Sequence, residues 1–450
     1  MSPINVAKFG GTSVANAAAM NNCAEVVLAN PATRVVVLSA SAGVTNLLVA
    51  LAQGDLDEAG QEAQLARLTE IQQAILTELG DPGDLSDLIH GQLGEIRTMA
   101  RQAHLHTDAE LADRLIACGE LMSTRLFTEL LRQRGVKACW QDARQLLRTD
   151  SRFGKASVDL AATRALCQAA LGPLLGDSLI ITQGFIGADG DGRTTTLGRG
   201  GSDYSAALLA EALDAGTIEI WTDVPGIYTT DPRLVTRARP IPEISFVEAA
   251  EMATFGAKVL HPATLQPAVR QDIPVFVGSS KDPAAGGTWI RASTRTNPLF
   301  RAVALRRNQV LVTLHSLNMF HAYGFLAEVF GILARHRISV DLITTSEVSV
   351  SLTLDHTGSQ SNGEPILGDK VLVELGQLCK VQVETGLALV ALIGNRMSEA
   401  AGVGSQVFDA IREHNIRMIC YGASAHNLCF LVKEDEAGHI VNRLHQELLD

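Results

Sequence analysis

The sequence predicts an α/β protein with a largely parallel sheet, followed by a smaller repeated α+β region. Short apolar, β-branched runs alternate with helical segments, which is typical of a parallel sheet covered on both faces. The C-terminal third contains an internal repeat. At 450 residues the chain is too long for one typical core, so we expect two to three domains.

The strands of the first region are marked by apolar runs that end at small residues. Residues 6–9 lead into Gly10 and Gly11, and residues 34–38 lead into a second small-residue loop. Residues 55–135 are mainly helical, because apolar positions recur there at spacings of three or four. The other strand candidates are residues 179–182, 218–222 and 274–277.

The C-terminal region repeats itself, because residues 328–338 align without gaps with residues 406–416. Each copy reads as one strand, an amphipathic helix and two further strands. Such βαββ units are too small to bury much core alone, so we expect them to pack on each other or on a second subunit. The sequence therefore predicts a first domain over 1–292 and a second region over 299–450, with units at about 310–385 and about 386–450 that can exchange strands.

The composition excludes several classes of partner. The formal net charge of −12 is spread without long runs, which argues against nucleic acid because phosphate backbones require a basic surface. No apolar run approaches the roughly 20 residues of a membrane span and no signal peptide is visible, so we expect a cytoplasmic protein. Seven cysteines without a CxxC pair predict free thiols, and no metal site is expected.

Lys8 and the two glycines after it form the first candidate site. A lysine at the carboxyl end of a first strand suits a phosphate, and glycines let backbone N–H groups approach an anion. The segment is not a P-loop, because GxxxxGK[ST] is absent. An ordinary tight turn with a solvated lysine explains this segment equally well when it is taken alone.

A glycine-rich loop over residues 194–205, TTTLGRGGSDYS, forms the second candidate site. It runs into a helix predicted over 204–213, which Ser202 or Asp203 can cap. Arg199 adds a planar bidentate donor suited to a carboxylate. The alternative is a structural turn, although so many glycines are costly in entropy for a mere turn.

Further polar residues stand at a strand end and at two helix boundaries. Thr222 and Asp223 follow a strand and reach the sheet edge where open α/β sheets bind ligands. Glu120 is either a first-turn acid stabilised by a helix dipole or an anchor for a substrate ammonium. Lys258, at a helix-to-loop junction, is more often solvated surface than a nucleotide contact.

Together these segments resemble the aspartokinase family in order and spacing. The matching residues are 8–13, 119–120, 197–203 and 221–226. The likeness covers essentially the whole chain and is greatest to the monofunctional, lysine-sensitive type with two ACT-type units. It implies an amino-acid-kinase fold, a three-layer α/β/α sandwich, and phosphorylation of L-aspartate by Mg-ATP to 4-phospho-L-aspartate. That reaction is the first step toward lysine, threonine and methionine.

The resemblance also implies roles for individual residues. The implied catalytic residues are Lys8, Asp203 and Lys258. The implied nucleotide contacts are Lys8, Gly10, Gly11, Thr222, Asp223, Tyr228, Arg233, Lys258 and Val259. The implied aspartate contacts are Thr45, Glu120, Arg199, Gly200, Gly201 and Ser202. Magnesium is implied to arrive with ATP, without a metal site of the protein.

In the first repeat the resemblance implies a site for L-lysine as inhibitor. The implied contacts are Met319, Phe325, Leu326, Ser339, Val340, Asp341, Thr345, Ser346 and Glu347. Asp341 and Glu347 can each pair with one ammonium group, although without the resemblance both read as ordinary strand-end acids. The family pattern has Ser-Arg where this chain has Ala322 and Tyr323, so a hydroxyl contact is lost and the lysine affinity stays open.

Two alternatives remain open at this stage. Another amino-acid or carbamate kinase of the same fold, such as a glutamate kinase, is disfavoured by the paired repeats and by Gly119-Glu120. A non-catalytic amino-acid sensor with an inactive kinase domain is disfavoured because the lysines, Arg199 and Asp203 are all retained. From the family likeness we expect a homodimer formed through the C-terminal units.

Overall fold

The computed structural model of the chain describes residues 3–102, 105–256, 260, 262–316, 323–355 and 367–449. These residues divide into two compact units. The first comprises Met1–Ile227, Pro240–Phe246 and Lys258–Thr294, and the second comprises Tyr228–Arg239, Val247–Ala257 and Arg295–Asp450. Each unit is described by itself below.

The first unit is built of strands that alternate with helices. Its elements, with α8 leading into the second unit, are β1 Asn5–Phe9, α1 Ala17–Ala29, β2 Thr33–Leu38, α2 Val44–Gln53, α3 Glu58–Glu78, α4 Gly83–Ala100, α5 Ala109–Gln133, β3 Ala138–Gln141, α6 Leu160–Leu171, β4 Leu179–Gln183, β5 Ile186–Ala188, β6 Thr194–Thr196, α7 Gly201–Ala212, β7 Thr217–Thr222, β8 Glu243–Ser245, α8 Phe246–Thr254, α9 Pro262–Gln271, β9 Val275–Ser279 and β10 Gly287–Arg291.

The main sheet of this unit has the order β3-β4-β2-β1-β7-β9-β10-β8 within the described residues. All neighbouring pairs are parallel except β9 and β10. Helices α1 and α5, with α2 to α4 packed on α5, cover one face, and α7 with α6 and α9 covers the other. The predicted three-layer α/β/α fold is therefore confirmed.

The alternation of side chains along β1 decides which residue reaches which face. Ala7 and Phe9 are buried in the core shared with α1 and α5. Lys8 therefore points to the opposite face, toward α7. Because β1 lies between β2 and β7, Lys8 stands near the centre of the carboxyl edge of the sheet.

The second unit contains the repeat found in the sequence. Its C-terminal elements are β11 Ala302–His315, α10 Phe325–Arg335, β12 Ile343–Thr345, β13 Ser349–Asp355, α11 Asp369–Leu378, β14 Lys380–Ile393, α12 Val403–Ala410, β15 Met418–Tyr421, β16 Asn427–Lys433 and α13 Glu434–Leu448. The strands form one antiparallel sheet in the order β12-β13-β11-β14-β16-β15 within the described residues.

Two long strands are shared between the halves of this sheet. Residues 309–315 of β11 pair with β13 and with the start of β14, whereas residues 302–306 of β11 pair with residues 389–393 of β14, which also pair with β16. The register of β11 shifts between the two stretches, and Asn308 and Gly386 have positive φ angles there. Each half-sheet therefore covers its own hydrophobic core while borrowing strand residues from the other repeat.

Helix α8 is anchored inside the second unit by two acidic residues. Glu248 is fully buried, and its Oε1 accepts hydrogen bonds from Arg301 Nε at 2.9 Å and from Asn395 Nδ2 at 2.6 Å. One turn later, Glu251 Oε2 accepts a hydrogen bond from Asn427 Nδ2 at 2.8 Å. The helix that precedes the predicted nucleotide contact at Lys258 is thus fixed by residues of the C-terminal region.

Candidate active site

The carboxyl edge of the main sheet collects most of the predicted catalytic residues. Lys8 lies one residue before the end of β1 and is only 8% exposed. Its Nζ lies 2.5 Å from Oδ1 of Asp203, in the first turn of α7. A carboxylate in the first turn is stabilised by the helix dipole, and the pair places one cation and one anion at this edge. The structure therefore brings two of the three predicted catalytic residues together.

The start of α7 differs from the prediction. The N-cap is Gly200 in the left-handed region (φ +74°), so the helix begins at Gly201 and Ser202 lies inside its first turn. Neither Ser202 nor Asp203 is the cap, and this expectation was wrong. The reason is that a left-handed glycine ends the loop earlier than a polar cap would, since glycine adopts φ > 0 without a Cβ penalty.

The predicted phosphate cradle after β1 is only partly present. Gly10 donates its N–H to the carbonyl of Trp221 at 3.2 Å, so this amide is already engaged within the sheet edge. Gly11 opens a short 3-10 turn, and α1 starts only at Ala17 after its cap Asn16. The short 3-10 turn therefore follows Gly10 directly, whereas the longer helix α1 does not. The nucleotide contacts at Gly10 and Gly11 stay predictions.

Glu120 lies in the middle of the long helix α5 and not in a first turn, so the first-turn interpretation is wrong. The side chain is 3% exposed, and Oε1 accepts a hydrogen bond from the Ala40 N–H at 3.1 Å. Its Oε2 is buried without a hydrogen-bond partner among the described residues. Burial raises the pKa of Glu120 to about 7, although the charge of Lys8 acts in the opposite direction. A buried carboxylate with one free oxygen suits a substrate ammonium.

Gly119 allows Glu120 to reach the site. A Cβ at this position would lie 2.8 Å from the Cβ of Ala40 and 3.1 Å from Cδ1 of Leu48. The loop after β2 therefore packs directly on the backbone of α5. The same loop leads into α2, whose second residue is the predicted aspartate contact Thr45.

The remaining predicted contacts are divided between the units. Thr222 ends β7, and its hydroxyl donates to Oδ1 of Asp223 at 3.2 Å. Arg199 is exposed in the glycine-rich loop. Tyr228 and Arg233 belong to the second unit, where Arg233 pairs with Asp231 at 2.6 Å. Two further predicted contacts, Lys258 and Val259, lie outside the described residues.

One buried acid of this region was missed by the sequence analysis. Asp113 lies on α5, seven residues before Glu120, and its carboxylate contacts the backbone of Thr196 at the start of the glycine-rich loop. The signal that could have found it is an acid within an apolar helical stripe, two helical turns from a candidate site residue.

The predicted lysine site lies in the first half of the C-terminal sheet. Asp341 accepts from Arg306, whose Nη1 lies 3.3 Å away, and Arg306 also pairs with Asp355. Burial raises the pKa of Asp341, the Arg306 charge lowers it and the Asp355 charge raises it. Glu347 is exposed.

The other predicted lysine contacts lie on the elements around Asp341. Phe325 and Leu326 open α10, whose N-cap is a left-handed Gly324. Ser339 and Val340 precede β12, which ends at Thr345, and Ser346 follows it. Tyr323 is fully exposed, whereas Met319 and Ala322 lie outside the described residues.

Comparison with known proteins assigns both regions. A model of the amino acid kinase family matches residues 3–279, and an ACT domain model matches residues 390–448. The chain is 62% identical over 450 residues to the lysine-sensitive aspartokinase 3 of Escherichia coli (strain K12), with 100% of both chains covered. This chain belongs to the aspartokinase family. It is also 35% identical to the chloroplastic aspartokinase 3 of Arabidopsis thaliana, over 99% of this chain and 81% of that protein.

Solved aspartokinase structures match the whole chain. The structure of E. coli aspartokinase III in complex with aspartate and ADP, in the R state, superimposes with a TM-score of 0.92 at 62% identity, covering 99% of this chain and 100% of that one. The structure with lysine and aspartate, in the T state, gives a TM-score of 0.85 at 61% identity over the same shares. The predicted family and fold class are confirmed.

None of the helices in the described ranges is long and apolar enough to cross a membrane. Within the same part of the chain, no three His, Cys, Asp or Glu side chains are grouped as a metal site would need.

Proposed function

We propose that the chain transfers the γ-phosphoryl group of ATP to the β-carboxylate of L-aspartate, which yields 4-phospho-L-aspartate and ADP. The observation that carries this proposal is the 2.5 Å ion pair of Lys8 and Asp203 at the carboxyl edge of the sheet. The buried Glu120 lies at the same edge. One edge thus offers a cation for a phosphate and an anion for an ammonium. The E. coli relative, solved with aspartate and ADP, supports the same pair of ligands.

The proposed reaction needs little acid–base chemistry. The β-carboxylate of aspartate, with an ordinary pKa of about 3.9, is already ionised at neutral pH. One of its oxygens attacks the γ-phosphorus while the bond to the bridging oxygen of ADP breaks, so no proton has to move. The chain's task is to hold two anions in line and to offset their charge, for which Lys8 and the N-terminus of α7 are suited.

The substrate and nucleotide contacts are proposals for each residue. Glu120 takes the substrate ammonium and Arg199 takes its α-carboxylate, since a guanidinium binds carboxylates in a bidentate manner. The further proposed aspartate contacts are Thr45, Gly200, Gly201 and Ser202. The proposed nucleotide contacts are Lys8, Gly10, Gly11, Thr222, Asp223, Tyr228, Arg233, Lys258 and Val259, with Lys8, Asp203 and Lys258 as the catalytic residues.

Magnesium is proposed to arrive with ATP. Mg²⁺ prefers hard oxygen ligands and usually combines one or two carboxylates with substrate phosphates and waters. The carboxylates of Asp203 and Asp223 at the sheet edge fit that donor set. When bound, the ion would offset charge on the β- and γ-phosphates.

L-Lysine is proposed as the feedback inhibitor, bound in the first half of the C-terminal sheet. Asp341, whose side chain is 24% exposed, and the exposed Glu347 a few residues further on support a ligand with two ammonium groups. The E. coli relative was solved with lysine and aspartate. The domain limits 1–292 and 299–450, a homodimer through the C-terminal units and a cytoplasmic location stay predictions.

Trapping the acyl phosphate with hydroxylamine tests the proposal. The reaction contains ATP, Mg²⁺ and L-aspartate, with and without L-lysine, and K8A serves as the inactive control. Aspartyl hydroxamate that disappears with lysine supports both the reaction and its regulation. If the amount of hydroxamate does not change with lysine, the kinase reaction stands and the proposed inhibition by lysine is wrong. That outcome would point to the departure from the family pattern at Ala322 and Tyr323.

Two other outcomes would overturn the proposal. Hydroxamate from L-glutamate but not from L-aspartate would make the chain a kinase of another amino acid. No hydroxamate from either substrate, together with lysine binding by calorimetry, would make it a sensor without kinase activity.

A further inference from the structure

Asp113 is a buried acid that the proposed reaction does not use. It lies on α5 and is 2% exposed. Its oxygens accept hydrogen bonds from the Gly154 N–H at 3.1 and 2.9 Å, from the Thr196 N–H at 2.7 Å and from the Thr196 hydroxyl at 2.9 Å. Burial raises the pKa of Asp113 and these hydrogen bonds lower it. A buried carboxylate is costly, so such an arrangement is stable only when its donors are fixed in place.

Two of the donors that Asp113 holds, the N–H and the hydroxyl of Thr196, lie directly before residues 197–200 of the glycine-rich loop. Thr196 is the last residue of β6, and its carbonyl accepts from the Ala156 N–H at 2.9 Å. Both peptide groups of Thr196 are thereby held, one by Asp113 and one by the segment that contains Gly154. The next residues form the loop that carries Arg199.

Helix α7, in contrast, is held independently of Asp113. It packs on β1, β2 and β7 and on α6 and α9. Its Asp203 is tied to Lys8 by the ion pair. A disturbance at Thr196 therefore falls on residues 197–200, between two fixed ends, rather than on the groups that meet the phosphates.

The same helix carries both acids of this region. Asp113 and Glu120 are seven residues apart, which is two turns and about 10 Å along one face of α5. The backbone of α5 is set against the loop after β2 by the close approach at Gly119. One rigid helix therefore fixes the distance between Glu120 and the start of the glycine-rich loop.

We propose that Asp113 is a positioning residue for aspartate recognition: it holds the glycine-rich loop so that Arg199 meets the substrate that Glu120 anchors. This inference rests on the proposed function, because it concerns the aspartate subsite of the same active site. It makes a specific kinetic prediction, since the loop position affects substrate binding and leaves the Lys8–Asp203 pair in place.

The test is steady-state kinetics of Asp113→Asn by hydroxamate formation. The amide replaces one oxygen by an N–H₂ group that faces backbone donors, so at least one hydrogen bond is lost at nearly constant volume. We expect the KM for aspartate to rise about tenfold or more, whereas kcat changes less than about threefold and the KM for ATP less than about twofold. Thr196→Val removes only the hydroxyl donor and should raise the KM for aspartate in the same direction by a smaller factor.

Asp159→Asn is the matched control. Asp159 caps α6 by accepting from the Ala162 N–H at 3.0 Å, and the same exchange there should leave all three constants at the parent values. If Asp113→Asn folds poorly, Thr196→Val carries the test. An unchanged KM for aspartate in Asp113→Asn would overturn the proposal. So would changes by the same factor in kcat and in both KM values, or an equal rise of the KM for aspartate in Asp159→Asn.

The design separates this inference from the proposed function. If the parent protein makes no aspartyl hydroxamate, the proposed function fails before any variant is compared. If the parent makes it and Asp113→Asn keeps the parent KM for aspartate, the function stands and the positioning role is overturned.

Discussion

Replacing Glu120 by glutamine exchanges a buried carboxylate for a neutral amide of nearly the same volume. In the native chain burial raises the pKa of Glu120 from 4.5 to about 7. Between pH 4.5 and 7 the carboxyl group of Glu120 is ionised in the unfolded chain but still protonated in the native protein. The free energy of unfolding therefore falls as the pH rises through this range, and the full cost of burying the charge is reached above pH 7. The glutamine carries no such penalty, and its Oε1 can still accept from the Ala40 N–H.

The size of the effect follows from the two pKa values. We expect Glu120→Gln to raise the free energy of unfolding by about 1 kcal/mol at pH 5.5 and by about 3 kcal/mol at pH 8.5. The same change should weaken the binding of aspartate, because a hydrogen bond to a charged group contributes about 1.5–3 kcal/mol, or roughly 10- to 150-fold in affinity. In the parent protein the KM for aspartate should fall as the pH rises through 7, since only ionised Glu120 pairs with the ammonium.

Denaturant unfolding, followed by tryptophan fluorescence, measures the stability term. All three tryptophans, Trp140, Trp221 and Trp289, lie in the first unit together with Glu120. Glu248→Gln, which lies in the second unit and is followed by circular dichroism, is the contrasting control, because it removes the negative charge beside the buried Arg301 and should destabilise the protein at both pH values. A Glu120→Gln protein that is less stable than its parent at pH 8.5, or that keeps the parent KM for aspartate, would refute the reasoning.

Three further changes test other parts of the site. Lys8→Ala should lower kcat by about 10²–10³-fold, because the proposed site loses a cation that offsets the charge of the transferred phosphoryl group. Near-normal turnover in the hydroxamate assay would remove Lys8 from the catalytic set. Asp341→Ala should abolish inhibition by lysine while activity without lysine is retained. An unchanged inhibition curve would contradict the assignment of the lysine-binding site around Asp341. Gly119→Ala should destabilise by about 1–2 kcal/mol in denaturant unfolding, since overpacking against Ala40 at 2.8 Å outweighs the better helix propensity of alanine; a variant as stable as its parent would argue against the close packing.

Much of the fold could be predicted from local sequence. The apolar runs at residues 6–9, 179–182 and 218–222 correspond to β1, β4 and β7. These strands were visible because period-two or continuous apolar patterns are set by burial alone. The register of the shared strands β11 and β14 could not be predicted, because the shift near Asn308 depends on which strand lies opposite.

Some residues of the candidate site could likewise be predicted from the sequence, and others could not. Lys8 and Asp203 could be placed from the sequence because a strand end and a helix start both point to the carboxyl edge of the sheet. The position of Glu120 within α5 could not, because Gly119 reads locally as a helix boundary although it is a packing position. Asp113 was missed since its role depends on Thr196, a residue far away in sequence that the fold brings to it.

The shared strands of the C-terminal sheet determine how this region can be shortened or transplanted. A fragment that begins at residue 390, where the ACT domain match starts, would leave behind residues 302–306 and expose the edge of β14 that they cover. Uncovered strand edges of this kind favour intermolecular pairing and aggregation. The two repeats therefore have to be expressed, deleted or fused to another enzyme as one piece that starts before Ala302.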